Sequence, residues 1–321
     1  MTSTGRCLVT GGAGFIGSHV VKRLLNEGYE ATVLDTQFGG AVIQGVRYVK
    51  GSATDAALVE RLVKENDHVF HLAARLGVKT TMDAPAEMIE NNVQGTINIL
   101  QSASKHRRKV VFASSSEVYG KALPPFREDD DLLYGPTTKL RWSYATAKLL
   151  EEFLCLGYGR KGLPVTVVRY FNVYGPGQKG GPYGGAIPKF IRAALAGDDI
   201  TVYGDGTQTR CFTYVEDAAE ATVRALRREA DNEIINIGTE HEIPILEVAR
   251  LVQAISKSPS RIVKVPYEKV YPNGFEEIPR RLPNVDKMKT LLAFRPKVDI
   301  GVGLSLTLQW YRNHGVLGGG D

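Results

Sequence analysis

Apolar positions gather in short runs through the first half of the chain, and between the runs they recur every three or four residues. The runs Arg6–Thr10, Glu30–Leu34, Val46–Lys50, His68–Leu72, Lys109–Ser114 and Pro164–Tyr170 predict strands. The amphipathic stretches Gly14–Gly28, Ala56–Glu65, Ala84–Lys105 and Ser143–Lys161 predict helices. Regular alternation of the two requires crossover connections, hence a parallel sheet covered on both faces. The expected fold class is α/β, a Rossmann-type doubly wound parallel sheet. Ligands of such sheets sit beyond the carboxyl ends of the strands, where strand order reverses.

From about residue 175 the texture changes. The stretch Gly175-Pro176-Gly177-Gln178-Lys179-Gly180-Gly181-Pro182-Tyr183-Gly184-Gly185 is too rich in glycine for a regular element and reads as a mobile loop. Beyond it come isolated helical patterns, Ile187–Ala196 and Ile245–Ile255, with short strands between. This predicts a dinucleotide-binding domain over 1–174, to which some later segments return, and a smaller C-terminal α/β substrate lobe over 175–321. There is no internal repeat, and the tail Gly318-Gly319-Gly320-Asp321 is expected to fray.

Composition narrows the field. A hydrophobic share of 43% and a charged share of 23% are those of a globular chain of 321 residues. The net charge of +5 is mild and forms no basic stripe, so no nucleic-acid partner is expected. The densest basic run, Lys105-His106-Arg107-Arg108-Lys109, reads as a solvated helix end. Cys7, Cys155 and Cys211 show no paired spacing, which argues against disulfides and zinc and for a reducing compartment. No apolar run reaches membrane-spanning length and the first strand starts near Arg6, so a cytoplasmic protein without a leader is expected.

Candidate chemistry begins at the first strand. Cys7-Leu8-Val9-Thr10 runs into Gly11-Gly12-Ala13-Gly14-Phe15-Ile16-Gly17, followed by a helix. Gly11 allows the tight turn, Gly14 lets backbone approach a pyrophosphate, and Gly17 permits close packing of helix on strand. The helix start at Phe15 and Ile16 then offers its N–H groups to the phosphates. The second strand leads into Asp35, placed to bond the adenosine ribose and repel a 2′-phosphate, which favours NAD over NADP. After the fourth strand, Leu72-Ala73-Ala74 supplies small residues where backbone passes the cofactor.

Tyr144 and Lys148 stand at i and i+4, so both leave one face of a helix. The ammonium of Lys148 and the nicotinamide charge both favour phenolate, which would let Tyr144 act as a base near neutral pH. The strand before this helix ends in the hydroxyls of Ser114, Ser115 and Ser116 at the expected nicotinamide edge.

Together these motifs resemble the extended short-chain dehydrogenases/reductases: the glycine turn, His71-Leu72-Ala73-Ala74, the serine-rich strand end before Val118-Tyr119-Gly120, and Tyr144 with Lys148. The resemblance extends over nearly the whole chain, through Arg169–Pro176 and Tyr203–Arg210. It implies that Ser115, Tyr144 and Lys148 are catalytic. It also implies that Ser116, Asn172, Tyr203 and Arg210 contact a nucleotide-linked sugar, Asn172 and Arg210 at its diphosphate, and that the protein is a homodimer packed through Ala84–Lys105 and Ser143–Lys161. Arginine suits that place because its rigid fork matches phosphate oxygens.

Within that family, Ser116-Glu117-Val118-Tyr119-Gly120 resembles the UDP-glucuronate decarboxylases (UDP-xylose synthases). So do Arg141-Trp142-Ser143-Tyr144 and Arg280-Arg281-Leu282-Pro283-Asn284. The implied reaction oxidises C4 of UDP-glucuronate, loses carbon dioxide and yields UDP-4-keto-pentose, UDP-xylose or both, with no metal. Glu117 would orient the ring or a water near C5, and Arg281 would position the substrate. Three positions depart from the pattern: Ser115 where threonine is usual, Leu282 in place of a basic residue, and Ser52 in place of an adenine-contacting aspartate. Serine lacks the methyl that restricts threonine, so a looser aim of the Ser115 hydroxyl is expected, with some keto sugar released. The competing readings are a nucleotide-sugar 4-epimerase and, in another class, a non-catalytic NAD-sensing protein on the same fold.

Overall fold

The computed structural model describes residues 4–38, 42–75, 83–179, 185–270 and 278–315. Its strands are β1 (Arg6–Thr10), β2 (Glu30–Asp35), β3 (Arg47–Lys50), β4 (His68–His71), β5 (Lys109–Ser115), β6 (Val165–Tyr170) and β7 (Val173–Tyr174). They continue with β8 (Ile200–Tyr203), β9 (Thr209–Cys211), β10 (Thr213–Tyr214), β11 (Ile234–Ile237), β12 (Glu242–Pro244), β13 (Ile262–Val265) and β14 (Arg280–Arg281). The helices are α1 (Phe15–Asn26), α2 (Ala56–Glu65), α3 (Pro85–His106), α4 (Arg141–Gly159) and α5 (Ala186–Ala196). After them come α6 (Val215–Arg224), α7 (Ile245–Ser256), α8 (Asp286–Leu291) and α9 (Ile300–His314).

Seven strands form one parallel sheet in the order β11-β6-β5-β4-β1-β2-β3. The order reverses between β1 and β4, where Thr10 pairs with both Leu34 and His71. Residues Cys7 to Thr10 are fully buried because helices cover both faces of β1. On one face Val20, Val21 and Leu24 of α1 pack with Ala218, Ala221 and Val223 of α6. On the other, Val59 and Leu62 of α2, Ile99 and Leu100 of α3 and Cys155 of α4 form a second core. A third, built on Ile187, Phe190, Val248, Val252, Leu304 and Leu308, makes the smaller lobe.

Local signals account for the helix limits. Asp55 caps α2 by accepting from the Leu58 amide at 3.0 Å, Pro85 opens α3, and Arg107 closes it at φ 54°. α4 begins at Arg141, two residues ahead of the expected Ser143, because the preceding turn folds directly into it. One reading changes. Lys109 is not a solvated helix end but a buried cation, its Nζ 2.5 Å from Asp231 Oδ1 and 2.7 Å from the Arg227 carbonyl. Of the glycine-rich loop, residues 180–184 lie outside the described residues, as does the tail after 315. All three cysteines are free and buried, and no helix among the described residues is long and apolar enough to cross a membrane.

Candidate active site

The carboxyl ends of the sheet strands open into a cleft of about 1320 Å³ between the two lobes. Every residue nominated from the sequence for the cofactor, the chemistry or the sugar lines it. At its floor Gly11 sits at φ +71°, and a Cβ there would lie 2.7 Å from the Ala73 amide nitrogen. A Cβ on Gly17 would stand 2.1 Å from the Gly11 carbonyl oxygen, so helix and turn touch only because neither residue has a side chain. No side chain caps α1 at Gly14, which leaves its first-turn amides at Phe15 and Ile16 to the cleft. Asp35 is held by two amides, Ala13 N to Oδ2 at 3.1 Å and Gln37 N to Oδ1 at 3.2 Å. Ser52 turns inward, bonding the Thr54 hydroxyl and amide at 2.8 and 3.1 Å. This cradle fits a dinucleotide with an unphosphorylated ribose. The protein is expected to bind NAD at least about tenfold more tightly than NADP, a difference of roughly 1.4 kcal/mol. Isothermal titration with both, repeated on Asp35→Asn, checks it; a wild-type preference for NADP would overturn the role given to Asp35.

Tyr144 and Lys148 line the same cleft as the cradle. Ser115 ends β5 and caps the 3-10 turn Ser116–Tyr119, its Oγ accepting from the Glu117 amide at 3.2 Å. Tyr144 lines the cleft beside Ser115. In the protein alone, burial, then the carboxylates of Glu151 and Glu117, push the Tyr144 phenol above its ordinary value, and Ser115 offsets them in part. Lys148 does not act there as an isolated cation. It is buried 4.6 Å from the centroid of the Phe112 ring, and its Nζ lies 3.2 Å from Glu151 Oε2. Glu151, fully buried, also accepts from Thr96 Oγ1 at 2.5 Å, and Thr96 lies 3.1 Å from His71 Nε2. His71 Nδ1 lies 2.7 Å from Thr10 Oγ1, which accepts from the Ala73 amide at 3.2 Å. Burial, aided by Lys148, lowers the His71 imidazole to about 3, so it is neutral. Next to Glu151 in the chain, Glu152 takes Arg169 in a fork at 3.0 and 2.7 Å and Ser114 at 2.5 Å, which pins α4 to the ends of β5 and β6.

The substrate end closes over this pair. Arg281 on β14 is buried and gives Glu117 Oε1 a 2.5 Å hydrogen bond, while Arg141 stands 3.8 Å from Oε2. Burial works against the Glu117 charge, but Arg281, Arg141 and Arg210 together hold its carboxyl below the usual range. A strap fixes Arg281: the Leu282 carbonyl accepts from Phe126 N and the Phe126 carbonyl from Asn284 N, both at 2.8 Å. Leu282 therefore serves through its backbone. Asn172 adopts φ 37° and donates to the Cys211 carbonyl at 3.0 Å. Arg210 rests on the Thr209 carbonyl at 2.7 Å, and Lys189 Nζ lies 5.0 Å from the centroid of the Tyr203 ring. The sequence reading had not singled out Arg141, Glu151, Thr96 or Lys189 as site residues. Glu151 left a signal, since it occupies the stripe of α4 (Ala145, Lys148, Glu152, Cys155) that periodicity assigns to the interior.

Residues 7–238 match the model of the NAD dependent epimerase/dehydratase family, and the chain belongs to that family. The cofactor is NAD. The chain is 56% identical, over 96% of its own length and 98% of the relative's, to the UDP-N-acetyl-alpha-D-glucosaminuronate decarboxylase of Bacillus cytotoxicus. It is 33% identical to UDP-glucuronic acid decarboxylase 1 of Danio rerio, over 95% of this chain and 72% of that one. Among solved structures, MoeE5 in complex with UDP-glucuronic acid and NAD superposes with a TM-score of 0.84 at 31% identity, covering 97% of this chain and 100% of that one.

Proposed function

We propose that this protein is a decarboxylase of a UDP-linked glucuronate-type sugar acid, with the 2-acetamido sugar its preferred substrate and UDP-glucuronate a poorer one. The carrying observation is the 56% identity along nearly the full length of both chains to a decarboxylase of the 2-acetamido uronate. Relatives that act on UDP-glucuronic acid stand further off, at 31–33% identity.

NAD held over the Gly11–Gly17 turn and Asp35 would supply a hydride acceptor for C4 and, once reduced, a hydride donor for the return. Tyr144 takes the proton of the C4 hydroxyl, and Ser115 shares the C4 oxygen. Oxidised at C4, the sugar is a β-keto acid: its C5–C6 bond breaks, carbon dioxide leaves, and the electron pair passes to the C4 oxygen. The hydroxyls of Ser115 and Tyr144 stabilise that oxygen. Glu117, kept ionised by its arginines, orients the ring or a water that protonates C5 and is not itself the acid. Lys148 supports Tyr144, Arg281 steers the sugar acid, and Ser116, Asn172, Tyr203 and Arg210 hold the nucleotide sugar.

The reading is tested with purified protein, NAD and three substrates, UDP-N-acetylglucosaminuronate, UDP-glucuronate and UDP-glucose, with products followed by NMR. Carbon dioxide is expected from both uronates, with the higher kcat/KM for the acetamido sugar. Equilibration of UDP-glucose with its C4 epimer and no carbon dioxide from either uronate would replace this reading by the epimerase one.

The assembly follows as a second proposal, a homodimer through α3 and α4, in a cytoplasmic, reducing setting that suits three buried free thiols. On α4, Leu150 and Phe153 stand 46% and 66% exposed one turn apart, unusual for residues of their size. Phe153→Glu is expected to give a monomer by light scattering. A wild type that elutes as a monomer at micromolar concentration would end this proposal.

A further inference from the structure

The hydrogen bonds behind the catalytic pair run in one direction. Glu151 is an acceptor only when ionised, so the Thr96 hydroxyl must donate to it at 2.5 Å. Thr96 Oγ1 then accepts from His71, which fixes the proton of the neutral imidazole on Nε2. Nδ1 is left as acceptor, so Thr10 donates to it and in turn accepts from the Ala73 amide. Every donor, from the strand end beside the cofactor cradle to α3, points toward one buried carboxylate. The other oxygen of that carboxylate lies 3.2 Å from Lys148 Nζ. A buried lysine with no counter-ion would make its full charge felt at the phenol one turn away; this one is matched.

We propose that Glu151 is a positioning residue which, through its ion pair with Lys148, sets how firmly Tyr144 holds its proton. The inference rests on Tyr144 being the acid and base of the proposed reaction. In the oxidative step the O–H bond of the C4 hydroxyl breaks and the Tyr144 O–H bond forms, while hydride leaves C4. In the return step hydride re-enters C4, the Tyr144 O–H bond breaks and the C4 O–H bond re-forms. Between the two, carbon dioxide must depart without Tyr144 losing its proton to water. A phenol facing an unbalanced ammonium would give that proton up readily. Facing a matched pair, it keeps the proton until C4 needs it.

The charged and titratable groups around Tyr144 come from several elements. Its own helix brings Lys148, Glu151 and Arg141; β4 brings His71 behind Lys148, the turn after β5 brings Glu117, and β9 and β14 bring Arg210 and Arg281 behind Glu117. His71 is neutral, and of the two carboxylates that raise the phenol Glu151 acts more strongly than Glu117, which is tied to its arginines.

Tyrosinate absorbance of the NAD-loaded protein, taken as the difference between each protein and its Tyr144→Phe counterpart, isolates the midpoint of Tyr144. The midpoint is expected to fall by about one pH unit or more in Glu151→Gln. It should fall by less in Glu151→Asp, which keeps the charge and withdraws it by one carbon. Should Glu151→Gln fail to fold, the smaller fall in Glu151→Asp carries the test. Midpoints unchanged in the folded variants would overturn the proposal. The titration needs no sugar, so its failure is separate from a failure to release carbon dioxide from UDP-uronates.

Discussion

Tyr144→Phe is expected to lower kcat for uronate consumption by about 10³-fold while changing substrate affinity less than about threefold, the pattern of a group used in the transition state. The ring remains, packed among the same neighbours, and only the proton-carrying oxygen is lost. Ser115 still caps its turn through the Glu117 amide, so the cleft keeps its shape. Single-turnover NADH formation with binding measured separately checks this. Wild-type turnover in the variant would remove Tyr144 from the chemistry, whatever the sugar.

Arg281→Ala should be nearly as damaging by a different route. Truncating one member of a buried, hydrogen-bonded charge pair costs about 2–5 kcal/mol, so kcat/KM for the uronate should fall on the order of 10²-fold or more. The loss should also become pH-dependent. Arg281 is the foremost of the charges that hold the Glu117 carboxyl low against burial. Without it the carboxyl rises, so the variant's residual activity should decline further as pH falls, over a range where the wild type is flat. Arg281→Lys restores a charge without the fork and should recover part of the rate. Equal, pH-independent losses in both variants would mean that Arg281 does not act through Glu117.

The elements most legible in the sequence were those fixed by backbone constraint. Gly11 and Gly17 announce themselves because no other residue fits their contacts, and the strands flanking them are runs buried on both faces. Tyr144 and Lys148 were legible through their spacing on one helix. What was hidden depends on partners remote in sequence. Lys109 reads as part of a basic run until Asp231, brought alongside by β11, takes its charge. The acidity of Tyr144 could not be read from Lys148 alone, because Glu151 matches that charge and is fastened by Thr96 from another helix. Arg281 was placed by resemblance, but its grip on Glu117 depends on a strap to Phe126 that no periodicity displays.

The position of β11 has a consequence for synthesis. β6 is complete at Tyr170, yet its outer edge is covered only by residues 234–237, through pairs such as Val168 with Ile235. The arginine that completes the substrate end follows later still. On the ribosome, the first half of the chain emerges with a buried, valine-rich strand whose outer-edge amide and carbonyl groups have no neighbour, an edge suited to strands of other nascent chains. Slow translation before residues 234–237 have left the ribosome would prolong that exposure, whereas a pause after they have emerged would not. Aggregation during expression is therefore expected to depend on the pace of synthesis over this interval as well as on the stability of the finished protein.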